Sequence, residues 1–179
     1  MDNCTLDFKP IIGNENQISK PTYKMLEKLS ALDKCMYAEI DTNFAGGFEI
    51  CEKYNFDPKV GINCLVVEAR RGDNVSYAAL LVPVGYKYNM SSVVRKKLNA
   101  RTVSVAPLEY VLEHTGMEFG SINPVGLPED FNIFIDPHAL ESDRIIVGSG
   151  LLKTKICIPS KLLLELPNSE ILEGLAKEV

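Results

Sequence analysis

The stretch Thr115-Gly116-Met117-Glu118-Phe119-Gly120-Ser121-Ile122-Asn123-Pro124-Val125-Gly126-Leu127-Pro128 carries three glycines and two prolines. Such a run neither extends a helix nor sits in a central strand. Glycine admits positive φ and close backbone approach, while proline fixes its own φ and restricts its neighbour. The chemistry open to a preformed loop of this kind is that of aimed amides and carbonyls. These hold an oxyanion, a carbonyl or a ribose without a charged side chain. Gly116, Gly120, Pro124 and Gly126 shape the loop, and Ser121 and Asn123 are its short polar side chains.

Other chemical equipment is sparse. The two histidines, His114 and His138, fall on different elements without a Cys or His partner at metal-ligand spacing. They read as helix-end or surface residues, and no metal is expected. There is no GxSxG elbow for a serine nucleophile. Cys64 lies inside an apolar run and reads as a buried, inert thiol. Asp136 ends a strand beside Pro137, where it either orients a ligand or caps a turn. Gly148-Ser149-Gly150 lacks the context of a nucleotide-binding loop. It reads either as a tight turn or as a second wall of a pocket.

The elements that must position these residues follow from periodicity and breakers. A short strand is expected at Leu6–Phe8. Ser19 and Pro21 open a helix whose apolar face is Met25, Leu26, Leu29 and Leu32. A strand at Met36–Ile40 precedes a helix capped by Thr42 and running through Phe44, Phe48, Cys51 and Tyr54. Ile62–Ala69 and Ser76–Val82, about the turn Arg70-Arg71-Gly72-Asp73-Asn74, form a hairpin. A short helix at Ser91–Leu98 and a strand at Thr102–Ala106 follow. Pro107 then opens a helix that stops at Gly116. Strands are expected at Asn132–Asp136, Arg144–Val147 and Thr154–Ile158, with a terminal helical region after Pro159 interrupted near Pro167. The fold class is α+β: a single domain with a mixed, mostly antiparallel, barrel-like sheet flanked by helices. Residues 1–35 are read as an N-terminal extension with one helix, and residues 36–179 as the domain proper.

The chain has 179 residues, 46% of them hydrophobic, enough for one domain with a sizeable core. The net charge is −5, so no global electrostatic signature for nucleic acid exists. Five scattered cysteines without CxxC spacing argue against a disulfide framework. With neither a signal-peptide pattern nor an apolar run of membrane-spanning length, a cytoplasmic protein with reduced thiols is expected. The charge distribution is more telling than its sum. From Asn74 to Leu108 there is no Asp or Glu, while Lys87, Arg95, Lys96, Lys97 and Arg101 are all present. This stretch either meets a polyanion, with Tyr86 and Tyr88 stacking on a base, or forms a solvated face balanced by acids elsewhere.

The ordered set of features resembles the YbaK/prolyl-tRNA-synthetase-associated domain family, the trans-acting aminoacyl-tRNA deacylases. The resemblance rests on the loop from Thr115 to Leu127, with its GxxxP spacing Gly120 to Pro124. The preceding Asn99-Ala100-Arg101-Thr102-Val103 strand entry and the Ser104–His114 helix fit the same order. So do Ile133-Phe134-Ile135-Asp136, Gly148-Ser149-Gly150 and Ile156-Cys157-Ile158-Pro159. It covers about Met36 to Leu166.

The resemblance implies hydrolysis of the ester joining a wrong amino acid to the tRNA 3′ end. Backbone groups of the loop would hold the aminoacyl carbonyl and terminal ribose. The substrate's own hydroxyl would help to position the attacking water. The implied catalytic residues are Gly116, Gly120, Pro124 and Gly126, with Asn63. The implied substrate-binding residues are Ser121, Asn123, Asp136, Gly148, Ser149 and Gly150. Lys87, Arg95, Lys96, Lys97 and Arg101 would contact tRNA. No cofactor is implied; the partners are aminoacylated tRNA and an aminoacyl-tRNA synthetase.

One departure stands out. The family usually carries a lysine at the start of the strand Ile62-Asn63-Cys64-Leu65-Val66-Val67, associated with catalysis and with anchoring the terminal phosphate. Here Asn63 occupies that place. Asn donates a hydrogen bond but supplies no charge. The nearest replacements are Lys59 and, if the strands approach, Lys153 or Lys155. Three readings follow: an editing deacylase, a catalytically silent relative that binds aminoacyl-tRNA or a free amino acid, and an unrelated small-molecule-binding domain.

Overall fold

The computed structural model describes residues 3–178. The first strand, β1 (Lys9–Pro10), lies just after the expected Leu6–Phe8 segment, and Leu6 is instead buried in a small apolar cluster. Helix α1 (Lys20–Lys28) starts after Ser19 with Pro21 in its first turn, but Ser19 Oγ pairs with Thr22 Oγ1 (2.8 Å) instead of capping an amide. Strand β2 (Met36–Glu39) follows. The helix expected from Thr42 to Tyr54 is broken in two. Asp41, not Thr42, caps a 3₁₀ turn over Thr42–Phe44, its side chain accepting from the Asn43 amide. The chain then passes through Gly46-Gly47 into α2 (Gly47–Lys53). Gly47 sits at φ 63°, a conformation that continues no helix.

The central hairpin is longer than its apolar run. Strands β3 (Ile62–Arg71) and β4 (Asn74–Pro83) pair in one register from Ile62 opposite Pro83 to Arg71 opposite Asn74, with Gly72-Asp73 alone as the turn. A short strand β5 (Tyr86–Tyr88) follows. The basic segment folds as a π turn leading into a single turn of helix α3 (Arg95–Lys97). Strand β6 (Thr102–Val105) returns to β3. Helix α4 (Leu108–Thr115) begins at Pro107 and ends at Gly116, which takes the left-handed C-cap conformation at φ 65°. Beyond the glycine-proline loop come β7 (Asn132–Ile135), β8 (Arg144–Gly148) and β9 (Thr154–Pro159). After Pro159 the chain makes a 3₁₀ segment over Ser160–Glu165. It then forms β10 (Ser169–Ile171) and β11 (Ala176–Glu178), where more helix was expected.

These strands make three sheets, ordered β1-β2-β9-β8, β10-β7-β4-β3-β6 and β11-β5. Pairing is antiparallel except for β4 with β7 and β7 with β10, so the α+β class with a mixed, mostly antiparallel sheet holds. No closed barrel forms. One isolated parallel bridge, Gly61 to Ile146, joins the segment before β3 to β8 of the other large sheet. The main core fills the space the two larger sheets enclose, around Leu81, Phe131, Ile135, Ile145, Ile156 and Leu163. Ile11, Ile18, Met25 and Leu26, all before Met36, belong to that same core.

Candidate functional site

The apolar run that builds β3 borders a cavity with its first residues. Ile62, Asn63, Cys64, Leu65 and Val66 form one wall of a chamber of about 410 Å³. Val105 and Ala106 at the end of β6, with Leu108 and Val111 of α4, form the second. Phe119, Gly120 and Ile122 of the glycine-proline loop close a third side. Gly148 and Lys155, from β8 and β9, complete the fourth, with Ala45, Gly46 and Tyr88 at the margins. The chamber therefore sits between the two larger sheets, beside the place where they are bridged. A smaller annex behind it shares Gly46, Ile62, Asn63, Gly148 and Lys155.

The loop is held from outside the cavity. The Ser149 amide donates to Ser121 Oγ (3.1 Å) and the Gly150 amide to the Ser121 carbonyl (2.9 Å). In return the Glu118 amide donates to the Gly150 carbonyl (2.9 Å), and Glu118 Oε2 accepts from the Leu152 amide (2.6 Å). A Cβ at Gly148 would fall on the Ser121 carbonyl, so only glycine lets the two segments approach. Helix α1 clamps both from the other side. Asn123 Nδ2 donates to Thr22 Oγ1 (3.0 Å), while Asn123 Oδ1 accepts from the Val125 amide (2.8 Å). The Ser19 amide donates to the Ser149 carbonyl (3.0 Å). At Gly126 a Cβ would meet the Pro21 carbonyl. The segment before Met36 is thus the backing of the loop.

Of the residues read from sequence, the structure gathers Asn63, Gly120 and Gly148 at the cavity. Ser121, Asn123, Pro124, Ser149 and Gly150 are buried behind the wall. The polar groups of Ser121, Asn123 and Ser149 hold the loop rather than face the chamber. Gly116 is the C-cap of α4 and does not line it. Asp136 takes its turn-capping alternative: Oδ1 accepts from the His138 amide (3.0 Å) and lies 2.6 Å from His138 Nδ1. Its Oδ2 accepts from the Ala176 amide (2.6 Å). Cys64 is half-buried and lines the cavity rather than being fully buried, but desolvation pushes its pKa up to about 12, so it is the inert thiol expected and not a nucleophilic thiolate.

The basic residues are exposed, on β5 (Lys87), α3 (Arg95, Lys96, Lys97) and the entry to β6 (Arg101). Lys97 is engaged by Glu170 of β10 at 2.6 Å, and Lys87 lies opposite Lys177 on β11. Tyr86 packs against the His138 ring (centroids 5.0 Å), whereas Tyr88 lines the cavity.

Lys155 is the residue that residue types alone did not single out. Of the three lysines named from sequence as replacements for a cation on β3, Lys59 and Lys153 are exposed, while Lys155 is 8% exposed and lines both chambers. It is the only charged side chain on the cavity wall among the described residues. Burial lowers its pKa to about 8, with the Cys51 thiol opposing only weakly. Among the described residues no group of three or more His, Cys, Asp or Glu is gathered as for a metal ion. No helix of the described residues is long and apolar enough to cross a membrane.

The aminoacyl-tRNA editing domain family matches residues 48–166, about two thirds of the chain. The chain belongs to that family. Its match spans the β3 wall, the glycine-proline loop and Lys155, but not the α1 clamp. The editing domain shares its fold with solved structures at low identity. One, titled a candidate trans-editing enzyme for prolyl tRNA synthetase, is 16% identical with a TM-score of 0.72, covering 90% of this chain and 99% of that one. Another, a hypothetical protein, is 14% identical with a TM-score of 0.75, covering 88% and 100%. No curated protein matches the editing domain significantly.

Proposed function

We propose that this editing domain is an aminoacyl-tRNA deacylase that removes a mischarged amino acid from the tRNA 3′ end in the chamber between β3, α4, β9 and the glycine-proline loop. The observation that carries the reading is the chamber itself: apolar walls, the backbone of Gly120 on one side, one amide (Asn63) on the β3 wall and one ammonium (Lys155) on the β9 wall. Its size suits an aminoacyl group with part of a terminal ribose. Water would attack the ester carbonyl carbon, and the bond from that carbon to the ribose oxygen would break. The water proton would pass to that oxygen, leaving a free amino acid and a tRNA hydroxyl. A rigid backbone cradle would stabilise the intermediate oxyanion, with Gly120 and Ile122 nearest the chamber. Gly116, Pro124 and Gly126 would set the loop's path. The substrate's own ribose hydroxyl would help to place the water.

Lys87, Arg95, Lys96 and Arg101 would steer the tRNA backbone, with Lys97 shared with Glu170. Selection among amino acids would come from the shape of the apolar walls, which discriminate a methylene only modestly. A synthetase partner and a cytoplasmic location accompany the same reading. One observation favours a second reading: β3 presents uncharged Asn63, as a binding-only relative would. A panel of mischarged tRNAs, followed for loss of the aminoacyl ester, separates the two. Hydrolysis of any member establishes the deacylase; binding without turnover across the panel replaces it with the silent relative.

A further inference from the structure

Lys155 is buried, and no described residue forms a hydrogen bond or ion pair with its ammonium. Burying an ammonium without a partner is unfavourable, and native folds nearly always supply one. The neighbours offer none. Opposite it in the sheet lie Ala38 on β2 and Gly148 on β8. The groups facing it from other elements are Cys51 of α2 and, across the chamber, Asn63, Cys64 and Tyr88. None is a carboxylate. The thiols of Cys51 and Cys64 are pushed up to about 11 and 12, and burial also raises the Tyr88 phenol, so all three are neutral near pH 7. The ammonium is therefore uncompensated, and its open side is the cavity.

We propose that Lys155 is the anion-binding residue of this chamber, engaging a phosphate of the nucleotide chain that enters it and supplying from β9 the charge that Asn63 on β3 does not. The inference rests on the deacylase reading for its substrate, but not on turnover. β3 and β9 face the same chamber from the two sheets that meet at the Gly61–Ile146 bridge, so a cation on either strand reaches one volume. The chamber's apolar walls strengthen the attraction, because an ion pair in a low-dielectric site is far stronger than in water. Asn63 then contributes an amide donor to the same chamber rather than the charge itself.

Two non-hydrolysable probes test this: a CCA trinucleotide with an amide-linked aminoacyl group at its 3′ end, and the matching aminoacyl-adenosine with no phosphate. Wild-type protein should bind the trinucleotide at least about tenfold more tightly, a preference expected of one charge-assisted contact. Lys155→Gln should erase the preference, Lys155→Arg should keep most of it, and the double variant Asn63→Lys with Lys155→Gln should restore it from β3. In wild type the preference should also fade as pH rises through about 8, an outcome needing no substitution. A folded Lys155→Gln protein that keeps the full preference overturns the proposal, as does failure of wild type to bind either probe or to distinguish them. Loss of hydrolysis with the binding pattern intact would remove the deacylase reading and leave Lys155 in place. Hydrolysis with the preference untouched by Lys155→Gln would do the reverse.

Discussion

Glu68, Asp136 and Lys155 are the buried charged side chains among the described residues, and the fold treats the last two differently. Asp136 closes β7 at 1% exposure, and both of its oxygens accept hydrogen bonds from His138 and from the Ala176 amide of β11. Lys155, on β9, is 8% exposed and has no protein partner among the described residues. The Asp136 corner is finished structure: its charge ties the C-terminal strand to the sheet. The Lys155 chamber is unfinished by itself, and an incoming anion would complete it. The difference teaches that burial of a charge does not by itself mark a site; the absence of a partner facing an open cavity does.

The comparison makes opposite claims about removing each charge. Asp136→Ala should cost about 1–3 kcal/mol, because it leaves the part-buried amides of His138 and Ala176 without their acceptor. Chemical denaturation checks this, and a loss below about 1 kcal/mol would mean that β11 is held by other contacts. Lys155→Gln should instead keep or raise stability while lowering kcat/KM for deacylation about tenfold, the size of the one charge-assisted contact it loses. If activity survives while stability falls, the roles of the two corners are reversed.

The same lysine gives a pH signature. Its folded pKa, about 8, lies below the unfolded value near 10.5. The unfolded chain therefore binds more protons between those values, and stability rises with pH across that window. Relative to Lys155→Gln, wild type should gain up to about 3 kcal/mol between pH 8 and pH 10.5. A flat difference curve would mean that the ammonium is solvated rather than buried.

Gly148→Ala sharpens the other side of the chamber. Its Cβ would press on the Ser121 carbonyl and should cost about 1–3 kcal/mol while displacing the loop. Gly120→Ala, facing only the movable Leu152 side chain at 3.0 Å, should cost about 1 kcal/mol, from its φ of 83°. Equal stabilities for the two variants would show that the loop is not clamped as described. The smallest effect is expected at the surface. Neutralising Arg95 and Lys96 together should flatten the salt dependence of tRNA binding by about one unit of slope per lost phosphate contact. An unchanged slope would mark these residues as a solvated face, as Lys97 with Glu170 already partly is.

Much of this was legible in the residues. The hairpin, the Pro107-to-Gly116 helix and the glycine-proline loop follow from local rules: apolar β-branched runs about a turn, proline at a helix start and glycine at its stop. The helix at Thr42–Tyr54 failed because Gly46-Gly47 interrupts it, a breaker visible in the sequence but outweighed by the apolar spacing. Strands β5, β10 and β11 were missed because each is three residues long and carries no period. Their pairing is decided by partners distant in the chain.

The site divides the same way. Sequence alone determined that a rigid glycine-proline loop exists and that the first residues of β3, Ile62 to Val67, carry no charge. It did so because backbone freedom and side-chain charge are local properties. Only the tertiary structure decided which groups meet. It set Gly148 against Ser121, put α1 behind the loop, spent Asp136 on a turn and turned Lys155 into the cavity. Residues as far apart as Asn63 and Lys155 share a chamber because two sheets from separate stretches of chain face each other there, and no spacing along the chain encodes that approach.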